Sequence, residues 1–140
     1  EKDDQVHWVA NDTIMRQVRG MQAKHVMVVA DSCFSGSLTR NVKIVDIKPN
    51  YVKEIVNKRA RTVLTSGGLE PVSDVGGGSN SVFAESFLRV LNDNKGVING
   101  NELFVKVREQ VITNTKDQTP EYDNIQKAGH DGGDFLFVRK

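Results

Sequence analysis

A short apolar run that does not alternate with polar residues, His25–Ala30, constrains the fold of this chain more than any other feature. Such a run predicts a strand buried on both faces, which is typical of a parallel sheet covered by helices. Residues 61–66 form a second strand of the same buried type. We therefore expect an α/β domain built around a mostly parallel sheet.

Helical patterns alternate with these strands. Apolar residues recur at helical spacing after a cap at Asn11 or Asp12, over residues 51–60, from a cap at Ser81 to about Leu91, and over residues 102–114. The recurring apolar positions of the first helix are Ile14, Val18 and Met21, those predicted to face inward in the second are Val52, Ile55 and Val56, and those on one face of the last are Leu103, Val107 and Val111. A last, antiparallel strand is expected at residues 134–139, with loops at 67–80, at 92–100 and around Pro120.

Three strands are few for an α/β sheet in a chain of 140 residues. The first of them is apolar throughout, and an edge strand with two apolar faces and an unpaired backbone favours aggregation. We therefore expect further strands beside His25–Ala30, contributed by a segment upstream of this sequence. Residues 1–140 are interpreted as a single partial domain.

Charge and cysteine usage narrow the class of function. Lys and Arg number 19 against 18 Asp and Glu, so no basic excess points to nucleic acid or to an anionic membrane. No apolar stretch approaches the roughly 20 residues of a membrane span. The single cysteine, Cys33, rules out an internal disulfide, and a free reactive thiol fits a reducing, cytoplasmic setting.

Cys33 lies three residues after the first predicted strand. A lone cysteine in such a context is more often a small buried hydrophobic residue than a nucleophile. In α/β sheets, however, ligands bind outside the carboxyl ends of the strands, and Ser66 ends the second strand at the same edge. Ser35 and Gly36 are small enough to let a substrate backbone approach. This placement predicts an exposed thiol that attacks a carbonyl group.

The sequence Asp-Ser-Cys-Phe-Ser-Gly at residues 31–36 resembles the nucleophile segment of caspase-like peptidases. Animal caspases carry Gln-Ala-Cys-x-Gly at this point, whereas metacaspases and bacterial caspase-like peptidases have Asp two residues before the cysteine, as here. Further landmarks follow in the family's order at residues 62–67, 83–88, 118–120 and 132–138. The resemblance implies a caspase-like three-layer sandwich and a cysteine endopeptidase, a hydrolase that acts through a Cys–His dyad and a thioester.

In this family the histidine usually precedes a glycine, upstream of the cysteine strand. The sequence contains no His-Gly pair, and its three histidines, His7, His25 and His130, each have a simpler structural explanation. The resemblance therefore implies that the base lies on an upstream fragment of the same domain, which stays associated with this chain. Autoprocessing between the histidine and the cysteine strand would produce such a pair of fragments, and a truncated sequence would look the same.

The resemblance also assigns substrate-binding roles. Asp31 would line the primary specificity pocket and pair with a basic side chain, Ser66 would shape substrate binding, and Asp74 would lie near the same pocket. The predicted substrate is thus a polypeptide cleaved after Arg or Lys. The alternative role for Asp31 is a cap of the following turn. No cofactor is expected, and a calcium requirement, known in some relatives, is left open because the acidic residues form no ligand series.

Other classes of protein fit less well. A cysteine phosphatase requires Arg six residues after the cysteine, but position 39 is Thr and the arginine is Arg40. An α/β-hydrolase would show a Gly-x-Ser-x-Gly elbow, which is absent. The remaining alternative is a catalytically inactive caspase-like scaffold or regulatory subunit, against which the presence of both Asp31 and Cys33 argues.

Overall fold

The computed structural model of the protein describes residues 10–32, 39–40, 50–67 and 80–140. These residues form four helices and six strands. In chain order they are α1 (Asn11–Gly20), β1 (His25–Ala30), β2 (Thr39–Arg40), α2 (Tyr51–Asn57), β3 (Ala60–Thr65), α3 (Val82–Asp93), β4 (Val97–Asn99), α4 (Gly100–Asn114), β5 (Glu121–Ile125) and β6 (Leu136–Val138). None of these helices is long and apolar enough to cross a membrane.

Four of the strands form one sheet in the order β1-β3-β5-β2. β1 and β3 are parallel, with Ala30 opposite Thr65 at their carboxyl ends. β5 is antiparallel to both of its neighbours, β3 and β2. Three of the four strands therefore run in one direction, and the predicted α/β class with a mostly parallel sheet is confirmed.

Helices pack on both faces of this sheet. Alternate residues of β3 point to opposite faces, so that Leu64 joins one cluster and Val63 the other. The Leu64 cluster includes Phe83 and Val90 from α3 and a set of α4 residues: Leu103, Val107 and Val111. The Val63 cluster includes Val18 of α1 together with Ile125 and Ala128. Every residue of β3 is buried, as expected for the centre of three layers.

The guanidinium group of Arg61 ties α1 to the sheet. This side chain is completely buried in β3 and donates hydrogen bonds to five backbone carbonyl oxygens. The acceptors belong to Val18, Met21, Ala23, Lys24 and Ala60, at 2.7–3.1 Å. The planar fork of donors suits this arrangement, because it satisfies carbonyl groups at the end of α1 and in the connection to β1.

A second polar cluster holds the beginning of α4. The buried carboxylate of Asp134 accepts hydrogen bonds from the Tyr122 hydroxyl, from the Asn101 amide at 3.0 Å and from the Phe135 amide at 2.8 Å. Burial, followed by the charge of Asp134, raises the pKa of the Tyr122 phenol strongly, so the hydroxyl stays a donor. This cluster connects β5, α4 and the segment that leads into β6.

The two strands predicted as buried are confirmed as strands, although only β3 is buried throughout, and three others, β2, β4 and β5, were missed. β4 lies within the predicted loop at 92–100, and β5 begins directly after the predicted loop around Pro120. The last strand is shorter than predicted and pairs antiparallel with β4 in a separate two-stranded sheet. β4 has three residues, and β5 reads Glu-Tyr-Asp-Asn-Ile, so neither carries a clear apolar pattern.

The boundaries of the helices and the faces that they bury also differ from the predictions in detail. α1 begins at Asn11, with Ala10 at the N-cap position, and ends before Met21, which is 45% exposed. α2 ends at Asn57 because Ala60 already belongs to β3, and Val52 is 46% exposed rather than inward. The predicted inward residues of α4 are all buried. The predicted loop at 67–80 lies almost entirely outside the described residues.

Candidate active site

Two of the predicted site residues lie at one edge of the sheet. Asp31 directly follows β1 and Ser66 directly follows β3, and these strands are parallel neighbours. The Ser66 amide donates to the carbonyl of Ala30 at 3.1 Å, which brings the two strand ends together. Cys33 and Asp74 lie outside the described residues. Cys33 is two positions after Asp31 in the sequence.

The Asp31 side chain is exposed and contacts the start of α3. Its Oδ2 accepts a hydrogen bond of 2.5 Å from the hydroxyl of Ser81, fifty residues further along the chain. Ser81 is the N-cap of α3, as predicted, and its Oγ accepts the amide hydrogen of Ala84 at 3.0 Å. Sequence reasoning identified Ser81 only as a cap. Its contact with Asp31 depends on the folded sheet, and no local signal indicates it.

Ser66 is buried rather than exposed. Its side chain has no accessible surface, and its Oγ has no hydrogen-bond partner within the described residues. A buried hydroxyl usually has a partner, so this position is unusual among the residues at the edge. The next residue, Gly67, has φ of 138°, and a Cβ there would lie 2.9 Å from the backbone of Thr119. Only glycine fits this close approach.

The contact of Gly67 with Thr119 brings a further sequence landmark, residues 118–120, to the same edge. Gln118 is buried, and neither atom of its side-chain amide has a partner within the described part of the chain. The sequence Gln-Thr-Pro at these positions is one of the landmarks of the family resemblance and falls in the predicted loop around Pro120. It lies just before β5, which pairs with β3 so that Glu121 is opposite Thr65.

The two histidines in the described residues lie at the other edge. His25 is the first residue of β1, and its Nε2 is 3.1 Å from the Lys58 carbonyl oxygen. The Nδ1 of His130 accepts the amide hydrogen of Arg61, near the beginning of β3, at 3.0 Å. A six-residue strand separates its ends by about 17 Å. Because a general base must come within about 3 Å of the thiol, neither histidine is placed to serve the carboxyl edge.

No group of three or more His, Cys, Asp or Glu side chains with the geometry of a metal site occurs in the part of the chain that the structure describes. The described acidic side chains at the carboxyl edge include Asp31, whose partner is a hydroxyl, and Glu121, opposite Thr65. Of these, Asp31 is the exposed carboxylate close in sequence to a thiol, an arrangement that suits a cationic ligand and a nucleophilic attack.

The fold and the carboxyl edge of the sheet together define a three-layer α/β domain. Its candidate nucleophile follows the first strand of a parallel pair. The family model of the caspase domain matches residues 3–128. The chain thus belongs to the caspase domain family and is a cysteine peptidase-type hydrolase. No curated protein and no solved structure shows a significant match.

Proposed function

We propose that this chain is the nucleophile-bearing part of a cysteine endopeptidase that cleaves polypeptides after Arg or Lys. The observation that carries the proposal is the exposed carboxylate of Asp31, at the carboxyl end of β1 and two residues before the single cysteine of a caspase domain. Asp74 is proposed to lie near the same pocket, and the fully buried Ser66 is proposed to help shape the substrate-binding region.

The proposed reaction has two steps. A histidine removes the proton of the Cys33 thiol, and the thiolate attacks the carbonyl carbon of the scissile bond. The peptide C–N bond then breaks, the histidine gives its proton to the leaving amine, and a thioester remains on Cys33. A water molecule, deprotonated by the same histidine, hydrolyses the thioester and releases the new carboxyl group and the thiol.

The preference for basic residues rests on charge. Two unit charges 4 Å apart interact by about 4 kcal/mol near a protein surface, where the effective dielectric constant is about 20. A guanidinium or ammonium group in the pocket would gain from Asp31, and a substrate carboxylate would be repelled by it. Arg would gain more than Lys, because its planar donors match a carboxylate in pairs.

We infer that the histidine belongs to an upstream segment of the same domain that adds strands beside β1. Within the described residues β1 pairs on one side only, and Val29 is 40% exposed, whereas every residue of β3 is buried. His25 and His130 are engaged at the opposite edge, and His7 lies outside the described residues, which supports a base supplied by the upstream segment. Autoprocessing between the two segments, in a reducing cytoplasmic compartment, is part of the same proposal.

The test combines this chain with the upstream segment and supplies fluorogenic peptides that end in Arg, Lys, citrulline or Asp. We expect cleavage after Arg and Lys and none after Asp. Each assay is run with and without calcium, which shows whether the activity requires this ion. Cys33→Ala should abolish cleavage. Asp31→Asn, which keeps an oxygen for Ser81 but loses the charge, should lower kcat/KM on the Arg peptide by about 10- to 100-fold.

Two results would contradict the proposal in different ways. Cleavage after Asp but not after Arg or Lys would show that Asp31 does not line the specificity pocket. If an Arg chloromethylketone failed to label Cys33 in the complete assembly, with or without calcium, the inactive scaffold would be the better description. Labelling by iodoacetamide provides the control that the thiol is intact.

A further inference from the structure

The hydroxyl of Ser81 makes two hydrogen bonds with different functions. It accepts the amide hydrogen of Ala84 at 3.0 Å, which caps α3, and it donates to Asp31 Oδ2 at 2.5 Å. The direction of each bond is fixed by chemistry. A backbone amide only donates, so the single hydroxyl hydrogen of Ser81 is left for the carboxylate.

From this geometry we infer that Ser81 is a positioning residue for substrate specificity, holding the carboxylate of Asp31 in the orientation that receives a basic side chain. The inference rests on the proposed function, since it requires Asp31 to bind the substrate. Ser81 itself is not proposed to touch the substrate. It acts through Asp31.

The mechanism is preorganisation. The terminal torsion of an Asp side chain is broad, so an exposed carboxylate without a fixed partner samples many orientations. Ser81 is half-buried and anchored by the first turn of α3, and it therefore fixes one carboxylate oxygen. An oriented carboxylate offers a guanidinium group its paired geometry without a further loss of conformational freedom on binding.

A role in helix capping alone leads to a different expectation. Loss of a cap lowers the stability of the fold and affects all substrates alike. Loss of a positioning hydrogen bond weakens the binding of cationic substrates and leaves the chemical step unchanged. The two roles are therefore separated by the dependence of KM on the charge of the substrate residue.

The experiment compares Ser81→Gly and Ser81→Thr in this chain combined with its upstream segment, on Arg and citrulline peptides. Glycine is a tolerated N-cap but has no hydroxyl to donate, whereas threonine keeps both bonds. We expect Ser81→Gly to raise KM for the Arg peptide by about 3- to 10-fold with kcat nearly unchanged. Citrulline kinetics should not change, and Ser81→Thr should restore the KM of the parent.

The matched control is Asn99→Gly, because Asn99 caps α4 through the Glu102 amide at 2.9 Å. Thermal unfolding of each variant measures the capping contribution. An unchanged KM in Ser81→Gly, in a protein that cleaves after Arg, overturns this inference alone. Equal losses on both peptides, or the same loss in Asn99→Gly, also overturn it. If the unmodified protein cleaves after neither Arg nor Lys, the proposed specificity fails and this inference with it.

Discussion

His130 shows how a single side chain serves the fold at the edge opposite the candidate site. Its Nδ1 accepts the Arg61 amide hydrogen, a role open only to the neutral ring. Burial lowers the pKa of His130, and the charge of Arg61 acts in the same direction, while Asp134 and Asp131 act against both. The ring is thus a structural acceptor at the beginning of β3.

This lowered pKa predicts a loss of stability on the acid side. As the pH falls through about 6.5, the unfolded chain takes up a proton before the folded one does, so the free energy of unfolding decreases. His130→Asn places an amide oxygen near the position of Nδ1 and does not titrate. We expect urea unfolding between pH 7.5 and 5.5 to give a shallower pH dependence for this variant. Parallel curves would contradict the assignment.

At the scale of elements, the beginning of α4 is a tightly constrained junction. Gly100 is the first residue of the helix, and a Cβ there would meet the Tyr122 hydroxyl and lie 2.6 Å from Asp134 Oδ1. The amide of Gly100 also donates to the Phe135 carbonyl at 2.8 Å. A side chain at this position would separate the carboxylate from its donors.

Gly100→Ala should therefore lower the free energy of unfolding by about 3 kcal/mol. Gly96→Ala is the matched control, because a Cβ at Gly96 meets nothing within 4 Å, and we expect its effect to stay within about 0.5 kcal/mol. Urea unfolding of both variants measures the difference. Similar losses of unfolding free energy in the two variants would mean that the Asp134 cluster rearranges around the added methyl group with little loss of stability.

The strands that could be predicted are those that carry a short run of apolar and β-branched residues. β1 and β3 are of this kind, although only β3 is buried throughout in the described part of the chain. β5 is held by pairing with β3 and β2, and it buries the carboxylate-bearing Asp123, so its composition did not reveal a strand. Its formation depends on tertiary pairing, which overrides local propensity.

The same distinction applies to the site. The positions of Asp31 and Ser66 followed from the rule that strand ends of a parallel sheet share an edge. The hydrogen bond from Ser81 to Asp31 could not be predicted by this rule, because the two residues are fifty positions apart and meet only when α3 packs on the sheet. Contacts of this kind carry no sequence periodicity.

For the whole molecule, the relevant feature is the side of β1 that faces away from β3, where no strand pairs with it within the described residues. Val29 lies on the same face of the strand as Met27, which packs against the Leu64 cluster. Val29 itself remains 40% exposed. An apolar strand that is paired on one side only is the surface that we propose the upstream segment covers.

Val29→Lys should weaken association of the separately purified chain with the upstream segment by about tenfold or more, because a charge would be placed in the covered face. The chain's own free energy of unfolding should change by less than about 0.5 kcal/mol, since the position is exposed. Val97→Lys, at a residue of β4 that is 55% exposed, is the control and should leave association unchanged. Sedimentation of the mixtures measures both. Equal weakening by the two substitutions would argue against β1 as the contact.

The carbonyl groups gathered around Arg61 also bear on the order of folding. Four of the five belong to residues 18–24, which precede Arg61 by 37–43 positions. Until β3 has formed, these carbonyl groups lack their guanidinium partner. We therefore expect the amide hydrogens of α1 and of its connection to β1 to exchange cooperatively with those of the sheet, rather than as those of an independent helix.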